Sequence, residues 1–293
     1  MNPLTRFLIV GVLCALATVL AFGQGATPPP AAAPSAYHVA LNRPFAKGDS
    51  YKLSVEVKDH EDTNQGVQDE TAVLAGTVRV MDVNPIGEPS VLMIHVDKAE
   101  TGSKEKMQKM KLEGADVGIS FPAGSPRYLR RDGQPIPEEE TGLLAMVFRA
   151  PRDISPDEYL GPGKDVKPGD TWSMKKDLLA KVLYGKALDP KSAPDLTKQE
   201  ASVTFVGVET WDGIPCYRLR CKIALKNPEN PHFIGDFLTE INQDLVLPVD
   251  KASTKSKKTW EMVTDVRGYQ ITQDGQKIEM RGKSKMNIDT IVQ

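Results

Sequence analysis

The sequence predicts a mainly β protein built from antiparallel sheet in two related units, with a few short helices. Apolar and polar residues alternate along much of the chain, which is typical of strands that pack one face and expose the other. Turn-forming pairs such as Asp212-Gly213 and Asn84-Pro85 separate these segments. A short motif also recurs in the two halves of the 293-residue chain. A chain of this length contains one large domain or two modest ones.

The N-terminal 23 residues have the pattern of a secretory signal peptide. Arg6 precedes an uncharged apolar run over 7–22, and small residues follow it. The run is shorter than the roughly 20 residues that a membrane-spanning helix needs. We expect an exported protein, periplasmic or secreted after cleavage near Gly23, with an uncleaved N-terminal anchor as the alternative. Residues 24–40, rich in Pro and Ala, are predicted to form an extended spacer.

The first predicted β unit covers residues 41–160, and the second covers 161–293. The alternating segments, each a predicted strand, are 51–58, 71–83, 90–97, 201–209, 216–225, 233–241, 259–266 and 278–292. One helix is predicted at 137–148, where Pro and three glutamates precede an apolar stretch. A second is predicted at 174–184, where Leu and Val recur at helical spacing.

A Gly-Asp-hydroxyl-aromatic motif opens the strands of each unit. Gly48 and Asp49 precede Ser-Tyr in the first unit, and Gly169 and Asp170 precede Thr-Trp in the second. A Gly-x-Pro turn follows downstream in both halves, so the sequence favours an internal duplication; chance recurrence of common turns is the alternative. The Gly-Asp pair suits a tight turn, and we assign these four residues a structural role.

Residues with catalytic or metal-binding chemistry are few. The net charge of -2 does not favour nucleic-acid binding. The four histidines show no metal-ligand spacing, and we expect neither a metal nor a cofactor. Cys216 and Cys221 would lie on opposite faces of one strand, about 16 Å apart, so no disulfide is expected between them. Ser173 and Lys176 match S-x-x-K, so a hydrolase that uses these two residues is a further alternative.

The densest basic run precedes the Trp260 strand and consists of Lys251, Lys255, Lys257 and Lys258. Such a run is typical of a solvated hairpin or a charged edge strand that discourages edge-to-edge pairing. Contact with anionic lipid headgroups or wall polymers is the alternative. We therefore expect these lysines on the solvated convex face of the sheet.

Residues 166–172 read VKPGDTW, and the stretches WDGIPCY and DLVLPV come later in the chain. These elements resemble a family of uncharacterised exported bacterial β-rich proteins that carry a V-K-x-G-D-T-W element and are similar to the periplasmic lipoprotein carriers. The resemblance implies curved antiparallel sheet, here as two related half-barrel-like units with short helices at the mouth, and a cell-envelope location. The shared motifs are turns and packing elements, so it implies no catalytic residue.

We therefore expect a non-enzymatic envelope protein that binds an apolar ligand or a lipoprotein segment on a concave sheet face. The expected partners are a lipid, an acylated peptide or an envelope protein, with membrane contact only peripheral or through an uncleaved signal. The alternative is a structural or protein-interaction module with a packed core. The residues predicted to line the ligand-binding face are Trp172, Trp260, Met262, Ile278, Met280, Met286 and Ile288.

Overall fold

The computed structural model describes residues 36–64, 66–103, 105–184, 199–226, 233–253, 255–271 and 276–293. The predicted signal peptide and residues 24–35 of the predicted spacer lie outside these ranges. The last residues of the predicted spacer pack on the fold, because Tyr37 forms a β-bridge with Val166, and Val39 and Ala40 are buried.

Within the described ranges, twelve strands form one antiparallel sheet that is curved and open. In chain order they are β1 (Ser50–Thr63), β2 (Gly66–Val83), β3 (Pro89–Ser103), β4 (Lys106–Lys109), β5 (Asp116–Ser120), β6 (Arg127–Arg130), β7 (Thr171–Ser173), β8 (Glu200–Trp211), β9 (Ile214–Lys226), β10 (Phe233–Pro248), β11 (Ser256–Ile271) and β12 (Lys277–Val292). The prediction of a mainly β fold with curved antiparallel sheet is confirmed.

The two predicted units occupy neighbouring blocks of this single sheet. The strand order is β6-β5-β3-β2-β1-β12-β11-β10-β9-β8-β7, and β4 pairs with β3 outside that path. Pairing of β1 with β12 joins the blocks, with Val57 opposite Ile288. The strands of the two units are thus continuous with one another, and their origin by duplication stays a prediction.

Three α-helices connect or cover strands in the described part of the chain. They are α1 (Glu138–Val147), α2 (Pro156–Tyr159) and α3 (Lys176–Tyr184), and a 3-10 helix spans Pro122–Gly124. Helices α1 and α3 lie where the sequence predicts them. Helix α2 was not predicted, although the side chains of Ser155 and Glu158 form a capping box at its start.

The hydrophobic core lies against one face of the sheet, which we call the inner face. On β1 this face carries Leu53, Val55 and Val57, all buried, because side chains alternate between the two faces of a strand. The segment before β1 and the helices cover it, since Phe45 and Leu144 belong to the same buried cluster as these strand residues.

Hydrogen bonds within the turn and to strand β2 fix the first Gly-Asp turn before β1. The Ala46 N–H donates to the Asp49 carboxylate at 2.5 Å, and the Gly48 N–H donates to the Val80 carbonyl at 2.9 Å. The Val80 N–H donates back to the Asp49 carbonyl at 2.8 Å. Gly48 has a left-handed φ of 98°, and the register of β2 shifts after Val80.

The second Gly-Asp turn repeats this geometry before β7. The Lys167 N–H donates to the Asp170 carboxylate at 2.8 Å, and the Gly169 N–H donates to the Phe205 carbonyl at 2.7 Å. The Phe205 N–H donates back to the Asp170 carbonyl at 2.9 Å. Gly169 has a φ of 92°, and the register of β8 shifts after Phe205. Both motifs are therefore structural turns that attach a strand start to a bulged neighbour.

Candidate functional site

All of the predicted ligand-binding residues except Trp172 lie on the inner face of β11 and β12. Trp260 is opposite Ile288, and Met262 is opposite Met286. Trp172 lies on β7 at one end of the strand order, where its indole N–H donates to the Leu160 carbonyl at 2.7 Å. The structure therefore brings the β11 and β12 residues together and leaves Trp172 apart from them.

The exposure of these residues changes along the strands. Trp260, Met262 and Met286 are buried in the core, and Ile288 packs against it. Met280 is half-buried, and Ile278 is 47% exposed. One end of the predicted face is thus buried in the core, whereas the other end is exposed.

A row of hydroxyl side chains separates the packed end from the exposed end. Thr264 lies opposite Thr239 on β10 and Ser284 on β12, and the two threonine hydroxyls are 3.1 Å apart. Beyond this row the inner face is apolar again. We call this second set the outer apolar row, and its members are Phe237, Val266, Met280 and Ile278.

A set of polar side chains lies at the packed end of the same face, next to Trp260. We call this set the interior polar cluster, and it consists of Glu88, Arg152, Tyr159, Gln243, Lys258 and the indole N–H of Trp260. Lys258 and Trp260 are alternate residues of β11, and Gln243 is opposite Trp260 on β10. These three form the floor of the cluster on the sheet.

The other side of the cluster is formed by residues that precede and enter α2. The Arg152 guanidinium donates from Nη1 to the Tyr159 hydroxyl at 2.8 Å, and it lies 6.0 Å from the centre of that ring. The backbone N–H of Arg152 donates to the carboxylate of Glu88, which lies in the turn between β2 and β3. We call the segment 152–160 the roof.

Side-chain and backbone hydrogen bonds hold the roof on the rest of the fold. The Asp157 carboxylate accepts from the backbone N–H groups of Leu41 at 2.5 Å and Asn42 at 3.1 Å. The Tyr159 carbonyl accepts from the Lys175 N–H at 3.2 Å. Most of these contacts are single hydrogen bonds between elements distant in the sequence, so the roof is positioned by tertiary contacts rather than by a long helix.

Burial changes the acid-base properties of the cluster. It lowers the pKa of Lys258 to about 8, because removal from water disfavours the ammonium ion; the Arg152 charge acts in the same direction. Burial also raises the pKa of the Glu88 carboxyl, against the opposing effect of Arg152. The pKa of the Tyr159 hydroxyl is raised for the same reason, so this group stays neutral.

Several polar atoms in the cluster have no hydrogen-bond partner among the described residues. Neither amide atom of Gln243 has one, and the same is true of Trp260 Nε1, Arg152 Nη2 and Glu88 Oε1. The residues Gln243 and Trp260 are only 2% and 4% exposed. A buried polar group without a partner is unfavourable by about 1–3 kcal/mol, so further hydrogen bonds, mainly donated by these groups, would stabilise the cluster.

The structure corrects the expectation that the lysines of the basic run all lie on a solvated convex face. Lys258 is buried on the inner face, and the alternation Lys258, Trp260, Met262 contains the signal for this position. Lys257 points to the opposite face, and Lys255 pairs with Asp212 at 2.5 Å. Gln243 could have been found in the same way, because it alternates with Ile241 and Leu245.

The two cysteines of the predicted second unit are free, as expected. Both Cys216 and Cys221 are buried, and burial raises the pKa of the Cys221 thiol to about 12. Cys221 lies opposite Gln243, at the margin of the interior polar cluster. At neutral pH its thiol is therefore protonated and a poor nucleophile.

The S-x-x-K residues do not adopt the helical arrangement on which the hydrolase alternative depends. Ser173 ends strand β7, where it pairs with Ser202, and Lys176 begins α3. The two are thus not one turn apart on a single helix. Among the described residues, no cluster of His, Cys, Asp or Glu is arranged to hold a metal ion, and no helix is both long and apolar enough to cross a membrane.

No protein-family model matches the sequence, and no curated protein matches it either. One similar solved structure is described as an outer membrane lipoprotein-sorting protein domain from Vibrio parahaemolyticus. The two sequences are 12% identical, the match covers 86% of this chain and 88% of that chain, and the TM-score is 0.21. Another is a DUF1329 family protein from Desulfovibrio piger, with 13% identity, 82% and 84% coverage, and a TM-score of 0.20. Likeness at these TM-scores is too slight to carry a fold or a function to this chain.

Proposed function

We propose that this chain is an exported cell-envelope protein, not an enzyme, that binds an apolar ligand on the inner face of its sheet. The observation that carries this proposal is the continuation of the inner face past the buried core into the outer apolar row. Ile278 is 47% exposed there, on the same face as the buried Met286. A bound acyl chain, from a lipid or an acylated peptide, would remove this surface from water.

Export is part of the same proposal and is supported by the N-terminal apolar run of the sequence. The expected location is the periplasm or the medium. The hydroxyl row that crosses the face at Thr264 divides the proposed binding surface into a buried part and an exposed part.

Native mass spectrometry of the chain from Gln24, purified from the compartment to which it is exported, tests the proposal. We expect co-purifying lipid or acylated peptide on the unaltered protein and a clearly smaller bound fraction on Ile278→Lys. The matched control is Ile234→Lys, because Ile234 is 52% exposed at the same end of the sheet but points to the outer face. Loss of ligand in both variants, or in neither, would contradict binding on the inner face.

A structural or protein-interaction module is the second candidate, and burial of Trp260, Met262 and Met286 favours it. In that case the inner face is a filled core with no room for a ligand at its packed end. The delipidated protein would then unfold at the same temperature with and without added lipid. A rise in the unfolding temperature with lipid supports ligand binding, because a ligand of the native state stabilises it.

A further inference from the structure

The interior polar cluster carries an excess of positive charge in a buried position. Lys258, with a pKa of about 8, is cationic at neutral pH and lies beside the Arg152 guanidinium, and Glu88 is the buried carboxylate that faces them. Asp153 also acts on Glu88, but its side chain is exposed to solvent. Because an unpaired buried charge is strongly unfavourable, one further anion would balance the interior.

The unpartnered atoms of the cluster are mainly donors. Trp260 Nε1 can only donate, Arg152 Nη2 can only donate, and the Gln243 amide offers two N–H bonds. Gln243 and Trp260 are opposite each other on the face that carries Lys258, and Arg152 lies near enough to Lys258 for its charge to act on that lysine. An anionic group with two acceptor oxygens would satisfy several of them at once, and hydrogen bonds to a charged acceptor are stronger than neutral ones.

The surroundings of the cluster indicate what is attached to that anion. Along the inner face, Lys258 is followed by Trp260 and Met262 on β11, with Ile288 and Met286 beside them on β12. These neighbours are apolar, and the strand leads toward the outer apolar row, with Val266 roughly 27 Å from Lys258 at about 3.4 Å per residue. The excess of one positive charge matches a singly charged group better than a doubly charged phosphate.

We propose that the interior polar cluster binds the carboxylate of a fatty acid, with the alkyl chain directed along β11 and β12. This inference rests on the proposed function and names the class of ligand. Lys258 and Arg152 provide the charge, and Trp260 Nε1 and the Gln243 amide donate hydrogen bonds to the carboxylate oxygens. Because these atoms are shielded from solvent, the ligand enters when the roof moves away from the sheet.

Binding of sodium dodecanoate and of methyl dodecanoate to the delipidated chain from Gln24 tests the inference. The acid and the ester share the alkyl chain and differ in the charge that Lys258 would meet. At pH 7 we expect the acid to bind at least about 10-fold more tightly than the ester, as a buried charge-assisted contact predicts. Equal affinity for acid and ester would overturn the inference and leave apolar-ligand binding intact.

Two substitutions test whether the preference for the acid over the ester depends on the interior polar cluster. Lys258→Met keeps a long side chain without charge, and we expect it to abolish the preference for the acid while the ester still binds. Lys257→Met changes the neighbouring lysine, which faces the other side of β11, and should keep the full preference. An acid preference that survives Lys258→Met would overturn the inference.

A third variant covers the case in which Lys258→Met does not fold, as circular dichroism would show. Gln243→Leu removes the unpartnered amide and leaves the charges in place, so we expect a partial loss of the preference, of the order of several-fold. An unchanged preference in this variant would also contradict the proposed contacts. If neither acid nor ester binds to the unaltered chain, both the inference and the proposed function fail.

Discussion

Lys258 lies on the inner face of β11, where burial and the Arg152 charge both act against its ammonium ion. Its pKa is about 8 in the folded chain, against 10.5 for an ordinary lysine. Between these two values the unfolded chain binds a proton that the native chain has released. Raising the pH through this interval therefore stabilises the native state.

We predict that the free energy of unfolding of the ligand-free protein rises between pH 8 and pH 10.5 relative to that of Lys258→Met. The difference should reach up to about 3 kcal/mol, at roughly 1.4 kcal/mol for each pKa unit. Urea denaturation at several pH values measures it. The Lys257→Met variant should follow the unaltered protein, and parallel curves for the unaltered protein and Lys258→Met would contradict the buried position.

Asp59 is a second inner-face residue whose charge is disfavoured. It lies on β1 opposite Glu70 of β2 and Met286 of β12. Burial first, and then the charges of Glu61 and Glu70, raise the pKa of Asp59 from 3.8 to about 6. The native state therefore holds a proton at pH values where the unfolded chain has lost it, and this contribution to stability disappears as the pH rises to about 6.

We predict that the titration of Asp59 lowers the free energy of unfolding of the unaltered protein between pH 4 and pH 6. The Asp59→Asn variant should lack this decrease. Its size should be about 1–2 kcal/mol, because solvent reaches part of the side chain and screens the effect. Asp62→Asn, on the exposed face of the same strand, is the control and should keep the decrease. Denaturant titrations at pH 4, 5 and 6 would show this, and a decrease that persists in Asp59→Asn would refute the assignment.

Among the described elements, the two Gly-Asp turns resemble each other in geometry as well as in sequence. Each connects a carboxylate to the backbone three residues before it, and each exchanges two backbone hydrogen bonds with a strand that is bulged at that point. The likeness therefore extends from the motif to its partner strand, which the sequence comparison did not include. It is the arrangement that a duplicated unit would retain.

We predict that Gly48→Ala and Gly169→Ala each lower the free energy of unfolding by about 1–2 kcal/mol. Added methyl groups would meet no atom within 4 Å at either site, so the left-handed φ is the sole source of strain. Gly142→Ala is the matched control, because Gly142 lies in helix α1 with equal space around it, and alanine should stabilise it by about 0.5–1 kcal/mol. Thermal and urea unfolding measure all three, and a shift of the same sign in every variant would contradict this account.

The elements also show which strands and helices the hydrophobic periodicity of the sequence can predict. Long strands such as β2 and β12 were predicted because many alternating residues contribute to their pattern. Strands β5, β6 and β7 span only three to five residues, too few for the pattern to stand out. Helix α2 has four residues and no helical period, but its Ser155-to-Glu158 capping box was present in the sequence and could have revealed its start.

For the whole molecule, the single sheet places the end of the chain beside its beginning. Strand β12 lies between β11 and β1, so the last strand in chain order pairs with β1. This pairing makes the inner face continuous from one predicted unit to the other. Neither the alternation within a strand nor the motif repeat specified that neighbour, because both are local in the chain.

The interior polar cluster is a property of the same tertiary arrangement. The sequence contained part of it, since Lys258 and Gln243 alternate with apolar residues of their own strands. It contained no sign of Glu88 or Arg152, which come from a turn and a connecting segment and meet only when the roof lies on the sheet. The predicted site was accordingly an apolar face, and its polar end was missed.

The sequence by itself determined the long strands, the two Gly-Asp turns, two of the helices and the alternation of residues between the two faces of each long strand. These features depend on the two-residue pleat, the helical period and local turn chemistry, all of which act over a few neighbouring residues. Only the tertiary structure decided the strand order, which part of the inner face the helices cover and which charges meet inside it. Those features depend on packing between segments far apart in the chain, where burial, rather than local conformation, determines the free energy.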